Sequence, residues 1–285
     1  MRTGDNRVGS VIERFRQDLA ENYDEGEARA IVRTVFAERL GWDPGQMELK
    51  KFESMSESEL LKVYLPLKRI VSGEPVQYVI GEVRFHGLRI QVNGSVLIPR
   101  PETEELVERI IDSCTTAPQR IIDIGTGSGC IALALKAAFP DADVMGVDVS
   151  EEALKTATTN ARLNELIVEW RKLDVLDPTI TFPPADLIVS NPPYVPRSEA
   201  PTIARHVLDH EPHKALFVPT SDPLLFYRVI GQKARASIVP GGPLWFEGHP
   251  ATIHAAAVAL RGQGWKKVEV LRDLSGKSRF ISARS

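Results

Sequence analysis

Short apolar runs alternate with helix-length segments from Arg120 onward, and this alternation constrains the fold more than any other feature of the chain. The apolar runs are typical of buried strands, and segments with a helical period separate most of them. The runs fall at 121–124, 144–148, 168–173, 186–190 and 244–247. Strands separated by helices of about 10 to 15 residues predict a parallel sheet with helices on both faces. Alternation over 267–271 and 279–283 predicts a hairpin at the end of this α/β domain.

The preceding part of the chain has a helical period instead. Apolar residues recur at helical spacing over 11–19 and 28–40. Ser56, followed three residues later by Glu59, is typical of the start of a third helix. Pro66 lies inside that third segment and predicts a kink or a break, because proline lacks the amide N–H that a helix interior needs.

Residues 79–98 then change to a period of two around His86-Gly87, which predicts a β-hairpin. Together with the preceding helices and the following α/β pattern, this hairpin suggests three parts. We expect a helical domain over 1–75, a hairpin connector over 76–100 and the α/β domain over 101–285.

Composition and charge exclude several classes of protein. The 285 residues carry a formal charge of −3, and residues 1–75 hold 12 Lys and Arg against 14 Asp and Glu. The chain therefore lacks the general basic field of a nucleic-acid-binding protein. No run approaches the roughly 20 apolar residues that cross a bilayer, and the polar start, Met1–Arg7, has no apolar core of a secretory signal. We expect a cytoplasmic monomer without a nucleic-acid or membrane partner.

A metal or disulfide site is not expected either. The two cysteines, Cys114 and Cys130, are too few and too far apart for a disulfide framework or a zinc knuckle. His206 and His210 stand four residues apart, but Pro212 ends that segment before the next histidine. We predict no metal.

A glycine-rich turn follows the first predicted strand. The sequence Asp123-Ile124-Gly125-Thr126-Gly127-Ser128-Gly129 ends the strand and opens a helix, where glycines let the backbone approach a ligand closely. Asp148 ends the next strand, 25 residues after Asp123, where a carboxylate can accept both hydroxyls of a ribose. The motif predicts a nucleoside cofactor and leaves its identity open, a nicotinamide dinucleotide included.

The tetrapeptide Asn191-Pro192-Pro193-Tyr194 follows another predicted strand and should face the same crevice. An NH2 group conjugated to a carbonyl or an aromatic ring is a poor nucleophile, because its lone pair is delocalised. The Asn191 side-chain oxygen and the Pro192 carbonyl can accept hydrogen bonds from both of its N–H groups and so orient the nitrogen toward a methyl donor. The prolines stiffen this segment, and the Tyr194 ring offers a face to a planar group. These four residues are the candidate catalytic site.

These motifs resemble class I S-adenosylmethionine-dependent methyltransferases that modify amide or exocyclic amino nitrogens. Further segments resemble the release-factor glutamine methyltransferase family, and they lie at 73–78, 97–105, 211–216 and 272–276. The resemblance implies a Rossmann-like, seven-stranded methyltransferase domain preceded by a small all-helical domain, for recognition of the substrate protein, and a β-hairpin connector. It also implies N5-methylation of the glutamine in the Gly-Gly-Gln motif of class I peptide-chain release factors.

The resemblance further implies a role for individual residues. The cofactor S-adenosylmethionine would meet the glycine turn at its methionine end, Asp148 at its ribose, and Asp174 and Val175 at its adenine. The turn residues are Gly125, Thr126, Gly127, Ser128 and Gly129. Asn191 to Tyr194 would take the glutamine amide, with Asn191 also touching the cofactor, and Arg100 to Glu104 would shape the mouth of the site. Val175 stands where some relatives carry an aromatic residue.

Two alternatives remain open at this stage. Adenine N6 presents much the same conjugated NH2 to an Asn-Pro-Pro-Tyr site, so a nucleic-acid amino methyltransferase is one of them. The acidic helical domain argues against it, because such an enzyme needs a basic track for the phosphates. A non-catalytic adaptor with a vestigial cofactor fold is the other, and the intact glycines, Asp148 and Asn191 argue against it.

Overall fold

A computed structural model describes residues 5–285, so part of the polar start, Met1–Arg7, lies outside the described residues. The chain divides into two compact units. One ends at Gly81 and also includes Arg205–His210, and the other comprises Glu82–Ala204 and Glu211–Ser285. No helix within residues 5–285 is long and apolar enough to cross a membrane.

Before residue 82 the first unit is helical, as predicted. Its helices are α1 (Val8–Leu19), α2 (Glu25–Leu40), α3 (Pro44–Leu49), α4 (Glu57–Val71) and α5 (Val76–Ile80). Their apolar faces form one core, in which Phe15, Phe36, Leu67 and Ile70 are buried. Burial of these side chains, more than helix propensity, stabilises helices of this length.

Side-chain caps fix where these helices begin. Ser56 accepts a hydrogen bond from the backbone N–H of Glu59, whose carboxylate accepts one from the backbone N–H of Ser56. Asp24 and Asp43 start α2 and α3 with the same reciprocal pair. Each arrangement satisfies two amide groups that a helix N-terminus otherwise leaves without a partner. The predicted start of α4 at Ser56 is confirmed.

Two prolines lie within helices of the first unit. Pro66 lies inside α4, which runs without interruption from Glu57 to Val71, so of the predicted kink or break the break does not occur. Burial of Val63, Leu67 and Ile70 on either side of Pro66 offsets its missing hydrogen bond. Pro44 is the first residue of α3, a position where a missing N–H costs nothing, and Gly41 is the C-cap that ends the preceding helix.

After residue 81 the elements follow in a mostly alternating order. They are β1 (Glu82–Phe85), β2 (Leu88–Gln91), α6 (Pro101–Ser113), β3 (Arg120–Ile124), α7 (Cys130–Ala138), β4 (Asp143–Asp148), α8 (Glu151–Leu163), β5 (Glu169–Lys172), β6 (Leu187–Ser190), β7 (Val195–Pro196), a 3₁₀ helix (Arg197–Thr202), α9 (Arg205–His210), α10 (His213–Leu216), β8 (Phe217–Val218), α11 (Leu225–Ser237), β9 (Pro243–Glu247), α12 (Ile253–Gly262), β10 (Lys266–Arg272) and β11 (Ser278–Arg284).

The predicted hairpin is formed by β1 and β2, which pair antiparallel with Phe85 opposite Leu88. His86 and Gly87 between them both have positive φ, 47° and 80°. A two-residue turn with this backbone matches the right-handed twist of the flanking strands. The segment predicted as connector also contains the short helix α5, which the sequence pattern did not indicate.

The main sheet has seven strands in the order β10-β11-β9-β6-β3-β4-β5. β9, β6, β3, β4 and β5 run parallel, and the terminal hairpin adds β11 antiparallel to β9. This α/β fold, with its seven-stranded Rossmann-like sheet, confirms the predicted fold class. In this order β4 lies on one side of β3 and β6 lies on the other, so the chain connections after β3 and β6 diverge. A crevice therefore opens at the carboxyl ends of β3 and β6, where sheets of this kind bind ligands.

Candidate active site

A cavity of about 570 Å³ lies at the carboxyl ends of the parallel strands. Its wall includes most of the residues that the sequence singled out, from four separate loops. They are Gly125, Thr126, Gly127, Ser128, Asp148, Asp174, Val175, Asn191, Pro192 and Pro193. Apolar side chains, among them Leu176, Phe226 and Ile230, complete the wall. A cavity of this size and mixed lining suits a ligand as large as a nucleoside derivative.

The turn after β3 is tied to the end of β4. The backbone N–H groups of Gly125 and Thr126 donate to the carbonyl of Val147 at 2.9 and 3.0 Å, and the N–H of Gly127 donates to Asp148 Oδ2 at 2.9 Å. Gly125 and Gly127 have φ values of 75° and 54°, which residues with a Cβ adopt only at a cost. The glycine pattern therefore lets the turn fold back onto β4.

Gly129 serves packing rather than the cavity wall. It is the N-cap of α7 with φ 82°, and a Cβ at this position would lie 2.8 Å from Trp170 Cη2 and 3.1 Å from Ala157 Cβ. The predicted cofactor residue Gly129 thus stands outside the lining, where only glycine fits between the turn and α8.

Asp148 ends β4 with both carboxylate oxygens engaged. Oδ2 accepts from Gly127 and Oδ1 accepts from the backbone N–H of Ser150 at 2.8 Å. Burial raises the pKa of Asp148, and these two hydrogen bonds oppose that rise. Each carboxylate oxygen has a second lone pair, so Asp148 can still accept hydroxyl groups of a ligand.

Asp123 lies behind the turn, outside the cavity lining. Its side chain is buried and accepts a hydrogen bond from Thr126 Oγ1 at 2.5 Å. Burial raises the pKa of Asp123 to about 7, with the Thr126 hydrogen bond opposing. Asp123 therefore supports the turn from inside the protein rather than contacting a ligand.

Asn191 is held by a chain of buried polar groups that sequence reasoning missed. Asn191 Nδ2 donates to Thr103 Oγ1 at 3.2 Å, and Thr103 Oγ1 donates to Glu247 Oε2 at 2.7 Å. Tyr194 Oη donates to the other oxygen, Glu247 Oε1, at 3.2 Å. Thr103 and Glu247 are 3% and 1% exposed, and Thr103 also lines the cavity, so the chain leads from the cavity wall into the protein interior.

Tyr194 therefore lies elsewhere than predicted. Its ring stands outside the cavity lining and packs against the core of the sheet. Burial, with the Glu247 carboxylate beside it, raises the pKa of Tyr194 well above its usual value. The physical reason for this placement is the hydrogen bond to Glu247, which holds the hydroxyl on the inner side of the loop.

The segment Arg100 to Glu104 divides among several contacts. Thr103 lines the cavity, whereas Glu104 accepts a hydrogen bond from the backbone N–H of His86. Arg100 Nη2 pairs with Glu211 Oε1 at 2.5 Å, and Glu211 Oε2 also accepts from the N–H of Ile98 at 3.3 Å. The buried Glu211 thus anchors the start of α6 to the segment 211–216 next to the cavity.

Within residues 5–285, no group of three or more His, Cys, Asp or Glu side chains is arranged to hold a metal ion. The chemistry that the site offers comes from its oxygens. Asp148 supplies a carboxylate at one part of the cavity and Asn191 an amide at another. Such a site can bind hydroxyl groups and orient an NH2 group.

Comparisons with known proteins extend these observations. The chain matches the family model for the methyltransferase small domain over residues 102–216 and the model for the PrmC N-terminal domain over residues 10–81. It is 38% identical to a release factor glutamine methyltransferase of Bacteroides thetaiotaomicron over 98% of this chain and 99% of the relative. It is 37% identical to the corresponding protein of Flavobacterium psychrophilum over 94% and 95%.

A solved structure shares the fold. It is a methyltransferase from Pyrococcus furiosus, with a TM-score of 0.52 and 17% identity over 70% of this chain and 88% of that one. At this identity the similarity concerns the fold alone.

Proposed function

The chain belongs to the release factor glutamine methyltransferase family, and we propose that it methylates class I peptide-chain release factors. The methyl group passes from S-adenosylmethionine to N5, the side-chain amide nitrogen, of the glutamine in their Gly-Gly-Gln motif. One observation carries the proposal: the Asn191 amide, held through its nitrogen, stands in the wall of a cavity large enough for a nucleoside derivative.

The residues present fit S-adenosylmethionine. Asp148 has the acceptor capacity that a ribose needs, and the apolar wall around Val175, Phe226 and Ile230 suits an adenine ring. The turn at 125–128 brings backbone close to the cavity for the methionine end. When bound, S-adenosylmethionine supplies an electrophilic methyl group on a sulfonium.

Asn191 and Pro192 act on the other reactant. The amide nitrogen of glutamine is a weak nucleophile because its lone pair is delocalised into the carbonyl. Hydrogen bonds accepted by Asn191 Oδ1 and the Pro192 carbonyl fix both N–H groups, which orients the nitrogen and increases its electron density as the new bond forms. The methylated nitrogen is strongly acidic and loses one proton without a dedicated base.

The rest of the chain serves recognition in this proposal. Residues 1–75 recognise the substrate protein, 76–100 form the connector and 101–285 carry the transfer, and the match of residues 10–81 to the PrmC N-terminal domain supports the first assignment. We extend the proposal to a monomer that works in the cytoplasm without a nucleic-acid or membrane partner. Light scattering of the purified protein tests the monomer, and fractionation of cells tests the location.

A labelling experiment tests the activity. The purified protein is incubated with methyl-labelled S-adenosylmethionine and a bacterial class I release factor, its Gly-Gly-Gln to Gly-Gly-Ala variant, or duplex DNA. We expect label on the wild-type factor alone. Label on DNA would replace the proposal by nucleic-acid methylation, and no label on any of the three would favour an adaptor.

Asn191→Ala tests the central residue. We expect kcat to fall by on the order of 10²-fold, because the orienting acceptor is lost, while the Kd for S-adenosylmethionine changes less than about twofold. Asn164→Ala is the matched control, since the Asn164 amide bonds the backbone of Arg89 and stands outside the cavity lining. Full turnover by Asn191→Ala would remove Asn191 from the mechanism.

A further inference from the structure

We propose that Thr103 and Glu247 are positioning residues, which fix the orientation of the Asn191 amide so that its oxygen accepts a hydrogen bond from the substrate nitrogen. This inference rests on the proposed function and concerns how its acceptor site is built. Both residues act through Asn191: Glu247 lies outside the cavity lining, and Thr103 lines the cavity with its hydroxyl engaged by Glu247 and Asn191.

Glu247 sets the direction of the hydrogen bonds. An ionised carboxylate is only an acceptor, and its two oxygens receive Thr103 Oγ1 at 2.7 Å and Tyr194 Oη at 3.2 Å. With 1% of Glu247 exposed, no bulk water replaces either donor. Burial raises the pKa of Glu247, while the hydrogen bonds from Thr103 and Tyr194 and the positive charge of Arg279 oppose that rise and favour the ionised form.

Thr103 transmits this direction. A threonine hydroxyl has a single proton, and that proton is used toward Glu247. Toward Asn191, Thr103 Oγ1 can therefore only accept, which matches the 3.2 Å contact from Asn191 Nδ2. The reversed amide would place Asn191 Oδ1 against the lone pairs of Thr103, two acceptors with no proton between them. The arrangement thus allows one orientation of the amide.

The consequence appears at the cavity. With Nδ2 turned to Thr103, the carbonyl oxygen of Asn191 is turned away from it and is left for a ligand. A carbonyl oxygen binds a substrate N–H group and does not bind a substrate carbonyl or ether oxygen. The reversed amide would have the opposite preference. Fixing the amide therefore contributes to the rate, through orientation, and favours a nucleophile that carries a hydrogen-bond donor, such as a primary amide.

Tyr194 completes the arrangement. Its hydroxyl occupies the second oxygen of Glu247, so the carboxylate cannot turn that oxygen toward another donor without losing a buried hydrogen bond. This contact also explains why Tyr194 lies behind the cavity wall.

Removal of the Thr103 hydroxyl tests the proposal in the methylation assay with a release factor. Thr103→Val keeps the shape of the side chain and removes the hydroxyl. The Asn191 amide can then rotate so that its Oδ1 and Nδ2 exchange places. We expect kcat to fall by about 10- to 100-fold with the Kd for S-adenosylmethionine changed less than about twofold. Thr103→Ser retains the hydroxyl and should restore kcat to within about threefold of wild type.

Thr156→Val is the matched control. Thr156 is also buried and its hydroxyl also accepts from an asparagine amide, Asn93 Nδ2 at 3.1 Å, but it stands outside the cavity lining. We expect Thr156→Val to keep kcat within about twofold of wild type. If Thr103→Val does not fold, Thr103→Ala compared with Thr103→Ser isolates the same hydroxyl.

A double variant separates positioning from a general loss of structure. In an Asn191→Ala background the amide is absent, so adding Thr103→Val should lower kcat by less than about twofold. An equal loss in both backgrounds, or wild-type kcat in Thr103→Val, would overturn the positioning role. A wild-type protein that labels no release factor would instead remove the proposed function, and the inference with it.

Discussion

Alanine at Gly127 should weaken the binding of S-adenosylmethionine more than alanine at Gly129, whereas alanine at Gly129 should cost more stability. Both glycines have left-handed backbone, with φ values of 54° and 82°. Their surroundings differ. Apart from Gly127 itself and its two chain neighbours, a Cβ at Gly127 would meet no atom of residues 5–285 within 4 Å, whereas a Cβ at Gly129 would lie 2.8 Å from the ring of Trp170 and 3.1 Å from Ala157.

The magnitudes follow from these contacts. Left-handed backbone costs an alanine about 1 to 2 kcal/mol, and the smaller conformational entropy of the unfolded chain offsets about 0.4 to 1 kcal/mol of it. Gly127→Ala should therefore lower the free energy of unfolding by about 1 kcal/mol. Gly129→Ala adds the cost of overpacking against Trp170 and Ala157, about 1 to 3 kcal/mol, for a total of about 2 to 4 kcal/mol.

The affinity for S-adenosylmethionine should fall more in Gly127→Ala than in Gly129→Ala, the reverse of the order for stability. Gly127 lines the cavity and its N–H holds Asp148, so a methyl group there narrows the ligand site and we expect the Kd for S-adenosylmethionine to rise by about tenfold. Gly129 lies outside the lining, so the folded Gly129→Ala protein should bind within about twofold of wild type.

Urea unfolding followed by near-ultraviolet circular dichroism measures the loss of stability, and isothermal titration calorimetry at a temperature where both variants are folded measures the affinity. Equal losses of stability in the two variants would refute the role assigned to Trp170 and Ala157. A Kd raised as much by Gly129→Ala as by Gly127→Ala would place Gly129 in the ligand site after all.

Three further predictions concern buried carboxylates. Asp148→Ala should raise the Kd for S-adenosylmethionine by at least about tenfold, measured by calorimetry, and an unchanged Kd would refute the ribose assignment. Because burial raises the pKa of Asp123 to about 7, the folded state holds a proton that the unfolded chain loses near pH 4, so this group's contribution to stability is full below pH 4 and is lost as pH rises to 7. The free energy of unfolding of Asp123→Asn minus that of wild type should therefore increase by about 1.4 kcal/mol per pH unit from pH 5 to pH 7, measured by urea unfolding. Parallel curves of this free energy against pH for the two proteins would contradict the raised pKa. Glu211→Ala should lower the free energy of unfolding by about 3 kcal/mol because it leaves Arg100 without its buried partner, while Asp222→Ala, which breaks an exposed pair, should cost less than about 1 kcal/mol.

Local sequence patterns predicted most of the helices, strands and turns, because interactions between residues close in the sequence determine where these elements begin and end. The turn at His86-Gly87 needs positive φ at both residues, and Ser56 with Glu59 satisfies the first amides of α4 within four residues. Strand and helix periods in the α/β domain likewise follow from alternate or one-sided burial. Nothing distant has to be known for such features, so their positions could be predicted closely.

The packing of single residues could not be predicted in the same way. Pro66 stays inside α4 because apolar neighbours bury that helix, and Gly129 is required by Trp170, which is 41 residues away in the sequence. The sequence pattern predicted that Tyr194 would face a ligand, but its hydroxyl donates a hydrogen bond to Glu247 instead. Glu247 comes from a distant strand, so a local pattern does not reveal this contact. In each case a tertiary contact outweighs the local pattern.

The register of the sheet nevertheless contains a signal for Glu247. Ile124 pairs with Ser190 across β3 and β6, and Ser190 pairs with Phe246 across β6 and β9. The residues that follow these three, Gly125, Asn191 and Glu247, therefore stand in one row at the carboxyl edge of adjacent parallel strands.

An acidic residue that directly follows the apolar run of β9 is thus aligned with the Asn191 loop by the strand order itself, before any side-chain contact is considered. In this row Asn191 lies between the glycine turn and Glu247. Its amide nitrogen is engaged on the side of Thr103 and Glu247, so its oxygen is the group that remains for the cavity, where the glycine turn and Asp148 also lie. The same strand order that forms the ligand crevice therefore also brings the Asn191 oxygen and the group that orients it into register.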